Sequence, residues 1–508
     1  MTGAPAGAAR LEQRLRAAAE VVLVDVPVPT GDTAYDAAQL LSALVELVRS
    51  APRADLAWLL LAAVSGHLPV SDDVHDLVRH LELALDPTDA EIGVLRRAKA
   101  AVAVHGDVEL PVRVVTDAVL VDVNFSAQDD MHTGIQRVAR EVSPRWHQAH
   151  DVMLTGWIPG GGAMRTLVPE EEARVLAWSG RGGSDPIRRP TANGSDPWAN
   201  LAGTEVVIPW HCTVVLPEVS QGYSSLPLAA LAEHSGSSVV AIGYDAIPVV
   251  SADMRPPTEP SGYVKYLTVL KHAKRVAAIS RSAAAEFRGF TEALAAQGIA
   301  GPRVTEVLLA AEVPDATDAP SARTPGPARV LCVGSHEPHK NHLGLLHAAE
   351  LLWREGLPFE LDFVGGRGWD VTLFDAALAE LVARGRSVRN LGPVTDSELW
   401  ACYRDATFTV FPSLHEGFGL PVAESLACGT PVVTTRYGST AEIAERGGCL
   451  LIDPRDDADL AAAMRTMLTD RSTYAVLKEQ AARTVGRTWD DYAAELWSTL
   501  VDDVRRAS

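Results

Sequence analysis

The chain has 508 residues, more than one hydrophobic core usually supports, and this length predicts two large domains with an additional module. Apolar residues make up 47% of the chain and charged residues 22%, a composition that is typical of a globular enzyme and excludes a disordered or fibrous protein. The formal net charge of −20 argues against general nucleic-acid binding, because phosphate contacts need clustered lysine and arginine.

Targeting and redox signals are weak in this sequence. No apolar run reaches the ~18 residues of a membrane span, and the stretch from Leu56 to Val64 predicts a buried helix and not a signal peptide. The five cysteines form no CxxC pair and have no nearby histidine at zinc-ligand spacing, so neither a disulfide framework nor a structural metal is indicated. We therefore expect a cytoplasmic protein with no transmembrane segment; peripheral contact with the inner membrane surface stays open.

Residues 1–110 predict a helical region. Four stretches repeat apolar residues at steps of three and four, and short Pro, Gly and Asp breaks separate them: LEQRLRAAAEVVL, YDAAQLLSALVELVRSA, DDVHDLVRHLELAL and AEIGVLRRAKAAVAV. The region carries no motif that indicates chemistry. It is either a packing extension or a surface for oligomer or partner contact.

Residues 111–320 predict a first Rossmann-like domain. The apolar period changes from helical to alternating at Val112, and Ala118–Val123 is the expected first strand. Residues 156–203 are rich in Gly, Pro, Ser and Asp, which predicts a long irregular insertion that could contact an acceptor. Short apolar strands then alternate with helical patterns, as in a parallel sheet covered by helices, up to an expected linker at Pro320–Pro327.

Residues 328–487 predict a second domain of the same kind. The stretches ARVLCVGS, FELDFVGG, VRNLGPV and FTVFPS read as strands, and helical patterns lie between them. In such sheets ligands bind beyond the carboxyl ends of the strands, so the residues after Val333, Val364, Leu391 and Pro412 should line one cleft. Residues 488–508 contain an amphipathic helix, Thr488 to Val504.

The stretch LHEGFGLPVAESLACGTPVV, residues 414–433, sets two glutamates eight positions apart around a Gly-Phe-Gly turn. Pro421 suits the start of a helix, so Gly417 and Gly419 precede a helix N-terminus whose free amides can hold a phosphate or a hydroxyl. Glu424 lies about one turn into this helix, where a carboxylate can accept two hydroxyls of a ribose. The alternative is that both glutamates are ordinary surface acids.

The stretch EGFGLPVAESLACGTPVV resembles the E(x7)E signature of the family 4 retaining glycosyltransferases of GT-B fold. Two further matches stand in the order of that family, LCVGSHEPHKNHLGLLHAA and VRNLGPVTDSELWACYRDATFTVFPS. The resemblance covers roughly residues 121–501. It implies an α/β protein of GT-B fold, with two Rossmann-like βαβ domains facing a cleft after an all-α region, and with the C-terminal helix crossing back to brace the first domain.

The resemblance also implies roles for single residues. Glu416 would contact the donor sugar, Lys340 would neutralise the diphosphate, and Glu424 would bind the ribose. A cation at Lys340 would stabilise charge that grows on the β-phosphate as the sugar leaves. The other donor-binding residues implied are Gly134, Gly334, Ser335, Arg367, Gly392, Val394, Gly417, Phe418, Gly419 and Leu420.

Two positions depart from the family pattern. Tyr244 stands where many relatives carry a histidine that contacts the sugar, and it is kept as a candidate catalytic residue with Glu416 and Lys340. Ser335 stands where many relatives carry an arginine, which leaves Lys340 with Arg367, His336 or His339 as helpers. Arg137, after the Thr133-Gly134 loop, could add further positive charge.

The resemblance implies a retaining hexosyltransferase that works without metal or cofactor and uses a GDP- or UDP-linked sugar as its substrate. Mannose is the expected sugar, because VGSHEPHKN and FVGGRGWD look most like mannosyltransferases of polysaccharide assembly. The acceptor would be a hydroxyl of a glycan, a lipid-linked glycan or a protein. The alternatives are a non-catalytic nucleotide-binding scaffold and a GT-B phosphorylase or hydrolase. An NAD-linked oxidoreductase is disfavoured, since no strand is followed by GxGxxG.

Overall fold

The structure is a computed structural model that describes residues 6–131, 133–178, 201–313, 326–484 and 486–507. Much of the predicted irregular insertion (residues 179–200) and most of the predicted linker (residues 320–325) lie outside the described residues. Helices and strands are numbered in chain order.

The helical region comes first. Within the described residues its helices are α1 (Ala6–Val22), α2 (Thr33–Ser50), α3 (Ala54–Ser65), α4 (Ser71–Leu83) and α5 (Pro87–His105). Asp32 caps α2 by accepting hydrogen bonds from the backbone amides of Ala34 and Tyr35. Helix α3 is buried from Leu56 to Ser65, which confirms the predicted buried helix.

A nine-stranded sheet forms the first Rossmann-like domain. Its strands are β1 (Val112–Val115), β2 (Val119–Asp122), β3 (Val152–Trp157), β4 (Met164–Thr166), β5 (Val206–Pro209), β6 (Thr213–Leu216), β7 (Ser238–Gly243), β8 (Arg275–Ala278) and β9 (Arg303–Glu306). The order is β1-β5-β4-β3-β2-β6-β7-β8-β9, and every pairing is parallel except those of β4 with β3 and β5. Strands β2, β5 and β6 are buried at every residue, as apolar runs in a parallel sheet should be.

Two expectations for this domain are wrong. The first strand is β1 and not Ala118–Val123, because a turn with a positive φ of 55° at Asp117 divides the β-branched run into two strands. The segment 156–203 is not irregular throughout, since it contains the end of β3, strand β4 and a helix over Pro169–Leu176. Gly160, Gly161 and Gly162 lie in the turn between β3 and β4, which pair in antiparallel fashion.

Helices connect most of the strands of the first sheet. In the described residues they are α6 (Asn124–Gln128), α7 (Gly134–Ala149), α8 (Pro169–Leu176), α9 (Ser225–His234), α10 (Ile247–Val250), α11 (Thr258–Leu270) and α12 (Arg281–Ala295). Helices α4 and α9 pack together, which joins the helical region to this domain. The two parts share one hydrophobic core that includes Trp58, Leu60 and Val207.

The second domain has a six-stranded, wholly parallel sheet of order β12-β11-β10-β13-β14-β15. Its strands are β10 (Ala328–Val333), β11 (Phe359–Val364), β12 (Val388–Gly392), β13 (Phe408–Phe411), β14 (Val432–Thr435) and β15 (Cys449–Ile452). Its helices are α13 (His342–Arg354), α14 (Thr372–Ala383), α15 (Asp396–Asp405), α16 (Leu420–Ala427), α17 (Gly438–Ala444), α18 (Asp457–Thr469) and α19 (Arg471–Ala482).

The C-terminal segment packs on the first domain. It contains α20 (Trp489–Trp497), one π-helical turn over Ser498–Asp502 and α21 (Asp503–Ala507). The indole Nε1 of Trp146 donates a hydrogen bond to the carbonyl oxygen of Ala493 at 2.9 Å. The rings of His150 and Trp497 stack with centroids 3.7 Å apart.

The observed architecture confirms the predicted α/β class, with an all-α region followed by two Rossmann-like domains. Among the described residues, none of the helices has the length and hydropathy that crossing a membrane requires.

Candidate functional site

Three loops meet at the carboxyl ends of β10, β11 and β12. The backbone amide of Gly334 donates to the carbonyl oxygen of Val364 at 2.9 Å, and that of Gly365 donates to Gly392 at 3.0 Å. A Cβ atom on Gly365 would lie 2.0 Å from the oxygen of Gly334, so only glycine permits this approach. The loops that were predicted to share a cleft are therefore in contact.

Lys340 follows the first of these loops. It ends a short 3₁₀ turn, Pro338–Lys340, that precedes α13. Its Nζ donates to Oε1 of Glu416 at 2.6 Å, and the two side chains are only 15% and 12% exposed. Nζ also lies 5.4 Å from the centroid of the Phe411 ring. The structure thus brings together two predicted residues that are 76 positions apart.

The Gly-Phe-Gly turn contacts the first domain. The hydroxyl of Ser280 donates to the carbonyl oxygen of Gly417 at 2.6 Å. A Cβ atom on Gly417 would lie 2.5 Å from the backbone oxygen of Tyr244 and 2.8 Å from a carboxylate oxygen of Asp245. Gly419 is the N-cap of α16. Pro421 has no amide hydrogen, and the amides of Val422 and Ala423 donate to the carbonyl oxygen of Gly419, so the backbone donors at this junction are those of the Gly417–Gly419 turn and Leu420.

Glu424 is buried in α16. The hydroxyl of Tyr403 donates to its Oε2 at 2.9 Å, and the guanidinium of Arg137, from α7 of the first domain, donates to its Oε1. Burial alone would lower the pKa of Arg137, but the Glu424 carboxylate outweighs burial and the pKa is raised. Burial and the same carboxylate raise the pKa of Tyr403 well above its ordinary value. The carboxylate therefore bonds to groups of both domains.

The Thr133-Gly134 loop faces the start of α16. A Cβ atom on Gly134 would lie 3.7 Å from a methyl carbon of Leu420, and Gly134 begins α7, the helix that carries Arg137. Phe418 and Leu420 pack against the hydrophobic core of the first domain. The predicted glycine loop of the first domain and the predicted donor turn of the second thus lie against each other.

Other predicted residues lie differently. Tyr244 is buried, and its hydroxyl donates to the carbonyl oxygen of Pro217 at 2.6 Å, so that hydroxyl is engaged away from Lys340 and Glu416. Arg367 is 75% exposed and pairs with Asp375, and the hydroxyl of Ser335 donates to Glu337 at 2.8 Å. Val394 is partly buried against the cluster that contains Trp400 and Tyr403.

A polar network beside Glu416 was not predicted. The imidazole of His415 pairs with Glu286 at 2.6 Å through Nε2 and contacts the hydroxyl of Ser251 at 2.8 Å through Nδ1. Burial and the charge of Glu286 raise the pKa of the nearby Asp245 carboxyl to about 6. Asp245 directly follows Tyr244, the position that the resemblance singled out, so a sequence signal for it was present. No sequence pattern indicated Glu286 or Ser251.

Two carboxyls are buried at the carboxyl ends of β2 and β6. Glu218 accepts hydrogen bonds from the amides of Phe125 and Ser126, and burial raises its pKa to about 7. Asp122 accepts a hydrogen bond from the indole of Trp157 at 2.9 Å, and burial raises its pKa to about 6. These carboxyls lie at the edge of the first sheet from which a parallel α/β domain binds its ligand.

Residues 315–484 match the family model "Glycosyl transferases group 1". An O-antigen chain mannosyltransferase B of Escherichia coli is 40% identical over 146 residues, which are 28% of this chain and 37% of the relative. A serotype-specific mannosyltransferase WbdA of Escherichia coli is 26% identical over 343 residues, 65% of this chain and 40% of the relative. The chain thus spans about two-fifths of the curated relatives that it matches first.

Solved structures share the fold. Sucrose-phosphate synthase from Thermosynechococcus elongatus superposes with a TM-score of 0.50 at 17% identity, over 77% of this chain and all of the other. The N-terminal domain of trehalose-6-phosphate phosphatase from Candida albicans gives a TM-score of 0.51 at 11% identity, over 76% of this chain and 97% of the other. At these identities the likeness extends to the fold alone.

Proposed function

We propose that the chain transfers a hexose from a nucleoside-diphosphate sugar to a hydroxyl, with retention at the anomeric carbon. The match of residues 315–484 to the family of group 1 glycosyl transferases and the two-domain fold support this proposal. The proposal places the chain in family 4 of the retaining glycosyltransferases. The acceptor is a hydroxyl of a glycan, a lipid-linked glycan or a protein. The chain's proposed setting is the cytoplasm.

One observation carries the proposal, the Lys340–Glu416 pair, whose carboxylate residue directly precedes the backbone amides of the Gly417–Gly419 turn. A diphosphate needs a cation and backbone donors, and a sugar needs a carboxylate to accept its hydroxyls. These three groups stand together at the junction of the two domains. An ion pair also keeps the Lys340 side chain in position before the donor binds, which lowers the cost of ordering it.

The proposed reaction breaks the bond between the anomeric carbon and the β-phosphate oxygen and forms a bond from that carbon to the acceptor oxygen. The departing phosphate oxygen takes the acceptor proton. Lys340 and the amides of the Gly417–Gly419 turn stabilise the charge that grows on the phosphate. The protein mainly positions the two substrates, and the proposal assigns no step to a metal.

Glu424 is proposed to bind the ribose. A carboxylate has about four lone-pair sites, and Arg137 and Tyr403 use two of them, so two hydroxyls of a ribose can still be accepted. The side chain is only 4% exposed. The two domains must therefore separate at Arg137 before a nucleotide reaches this carboxylate.

Mannose is the proposed sugar, because two of the relatives are named mannosyltransferases.

The test of the proposed function is to incubate the full chain with GDP-mannose or UDP-glucose, with and without glycan acceptors, and to assign the anomer of the product by NMR. Transfer from GDP-mannose to an α-linked product is expected. A β-linked product would overturn retention. Release of free sugar or sugar phosphate would indicate a hydrolase or phosphorylase, and nucleotide binding without turnover would indicate a scaffold.

A further inference from the structure

Three histidines and one glutamate meet where the helical region contacts the first Rossmann-like domain. His75 comes from α4, Glu233 and His234 end α9, and His272 lies between α11 and β8. Potential ligand atoms of His75, Glu233 and His234 all lie within 4.8 Å of one another. The Nε2 atom of His272 lies 3.6 Å from Oε2 of Glu233.

The imidazole of His234 is the buried member of this cluster. Its side chain is 5% exposed, and its Nε2 has no hydrogen-bond partner among the described residues. Nε2 lies 3.2 Å from Oε2 of Glu233, but the two atoms lack the alignment of a hydrogen bond. A buried nitrogen without a partner is costly, so a further group should satisfy it.

The carboxylate of Glu233 has an unusual set of partners. Among the described residues its ion-pair partners are the imidazoles of His234 and His272, with no lysine or arginine. The hydroxyl of Ser71, the first residue of α4, donates to Oε2 at 2.8 Å and orients the carboxylate. Helix α9 also ends here, and the C-terminus of a helix dipole favours a positive charge.

We propose that His75, Glu233 and His234 bind a Zn²⁺ ion that joins the helical region to the first Rossmann-like domain, and that His272, which approaches only Glu233 in this group, turns towards the ion to complete the set. Three imidazoles and one carboxylate are a ligand set that Zn²⁺ accepts, and a closed set of four protein ligands is typical of a structural site. Tetrahedral ligands about 2.0–2.1 Å from the metal lie roughly 3.3 Å apart. The separations of 3.2 and 3.6 Å from Oε2 of Glu233 to the imidazoles of His234 and His272 are close to that spacing. The ligand atom of His75 lies within 4.8 Å of the others in its group, and the exposed His75 side chain can move towards the ion.

The site lies away from the cleft. His234 comes just before β7 and His272 just before β8, so both lie at the edge of the sheet where its strands begin. Gly417 contacts Tyr244 beyond the opposite end of β7. His75 is exposed, which gives the ion a path from solvent. The ion therefore acts on the attachment of the helical region, and the proposal is independent of the transfer reaction.

The test uses the full chain without a polyhistidine tag. After treatment with EDTA and dialysis, zinc is titrated by calorimetry, and the bound metal is counted by elemental analysis. We expect about one Zn²⁺ per chain at unchanged molecular mass, and His75→Ala should weaken binding more than about tenfold because a ligand is lost. His75 is exposed, so this variant should fold. The matched control is His347→Ala, which removes an exposed histidine of α13 and should leave affinity unchanged.

A second readout does not depend on affinity. X-ray absorption at the zinc edge should show three imidazole ligands in the wild type and two in His75→Ala. At one zinc concentration, zinc should raise the thermal midpoint of the wild type more than that of His75→Ala. Absence of zinc binding would overturn the proposal, as would equal binding by wild type and His75→Ala. Half an ion per chain with a doubled molecular mass would also overturn it, because the ion would then join two chains.

Discussion

Arg137 of the first Rossmann-like domain forms an ion pair with Glu424 of the second. The carboxylate is 4% exposed and the guanidinium 21%, and Tyr403 holds the other carboxylate oxygen. The pair thus links the glycine loop of one domain to the helix that follows the donor turn of the other. It stabilises the closed arrangement of the two domains.

Replacing Arg137 should destabilise the protein. Arg137→Met leaves the Glu424 carboxylate buried without its cation. We expect this change to lower the free energy of unfolding by about 2 kcal/mol. The loss is smaller than for a fully buried pair because the Arg137 side chain is partly exposed. Urea denaturation measures this change. Adding Glu424→Gln to Arg137→Met should cost little more. The control is Arg145→Met, which removes a more exposed arginine side chain and should lower the free energy of unfolding by less than ~1 kcal/mol. Equal losses in Arg137→Met and Arg145→Met would show that the buried pair with Glu424 does not stabilise the protein more than an exposed one.

Replacing Lys340 should reduce catalysis more than folding. Lys340→Met removes the cation beside the helix N-terminus, and we expect the turnover number to fall at least about 100-fold, as when an electrostatic stabiliser of a transition state is lost. Initial rates of donor consumption measure the effect. Lys99→Met, on the exposed face of α5, is the control and should keep the wild-type rate. A Lys340→Met variant of wild-type activity would remove Lys340 from the proposed site.

Replacing Gly417 should force the domains apart. In Gly417→Ala the new Cβ would lie 2.5 Å from the backbone oxygen of Tyr244, so the turn or the domain interface must shift. We expect a larger radius of gyration in X-ray scattering and weaker nucleotide binding. Gly289→Ala is the control, because its Cβ has open space in α12, and it should be neutral or stabilising by up to ~1 kcal/mol. An unchanged radius and unchanged affinity in Gly417→Ala would show that the contact does not hold the cleft closed.

The pair between His415 and Glu286 should make stability depend on pH. Burial lowers the pKa of His415, but the hydrogen bond and charge of Glu286 outweigh burial and raise it above its ordinary value of 6.5. The charged imidazole therefore stabilises the folded state fully below pH 6.5, and this contribution is lost as the pH rises through the folded-state pKa. The urea midpoints of wild type and His415→Gln should differ most at about pH 6 and converge at higher pH. A difference between wild type and His415→Gln that stays constant across this pH range would contradict the assignment.

Removing the C-terminal helices should unfold the first domain. Trp489, Tyr492, Leu496, Trp497 and Leu500 are buried there. At about 2 kcal/mol for each side chain they contribute ~10 kcal/mol, which is as large as the net stability of many domains. A chain that ends at Arg487 should therefore lose its thermal transition or aggregate. A chain that ends at Val504 should melt near the wild type, and a stable protein ending at Arg487 would refute the bracing role.

The sequence allowed much of the cleft to be predicted, because its signals are local. The strands that precede Gly334 and Gly365 are short, mostly apolar runs that end at glycine, and the more polar strand β12 ends with Gly392 itself. The structure joins the loops after these strands by backbone hydrogen bonds. The pattern of the turn before α16 likewise predicted a helix N-terminus. These features depend on residues within about ten positions of one another.

What the sequence could not predict depends on long-range contacts. The hydroxyl of Tyr403 and the guanidinium of Arg137 reach Glu424 from two different helices, and no local pattern indicates either contact. The same holds for His75 and His234, because the packing of α4 on α9 brings these two residues together. They are far apart in the sequence, so a search for zinc-ligand spacing along the chain did not find them. Strand β1 was missed because β-branched residues continue across the turn at Asp117.

The central claim is that the cleft binds a nucleoside diphosphate between Lys340 and Glu424, and calorimetric titration of the full chain with GDP, UDP, ADP and dTDP tests it most directly. We expect one of the four to bind, with affinity weakened at least about tenfold by Lys340→Met, since a charge-assisted contact to phosphate is lost. Lys99→Met should leave that affinity unchanged. No binding of any of the four diphosphates by the wild type, or equal affinity in Lys340→Met, would contradict the account.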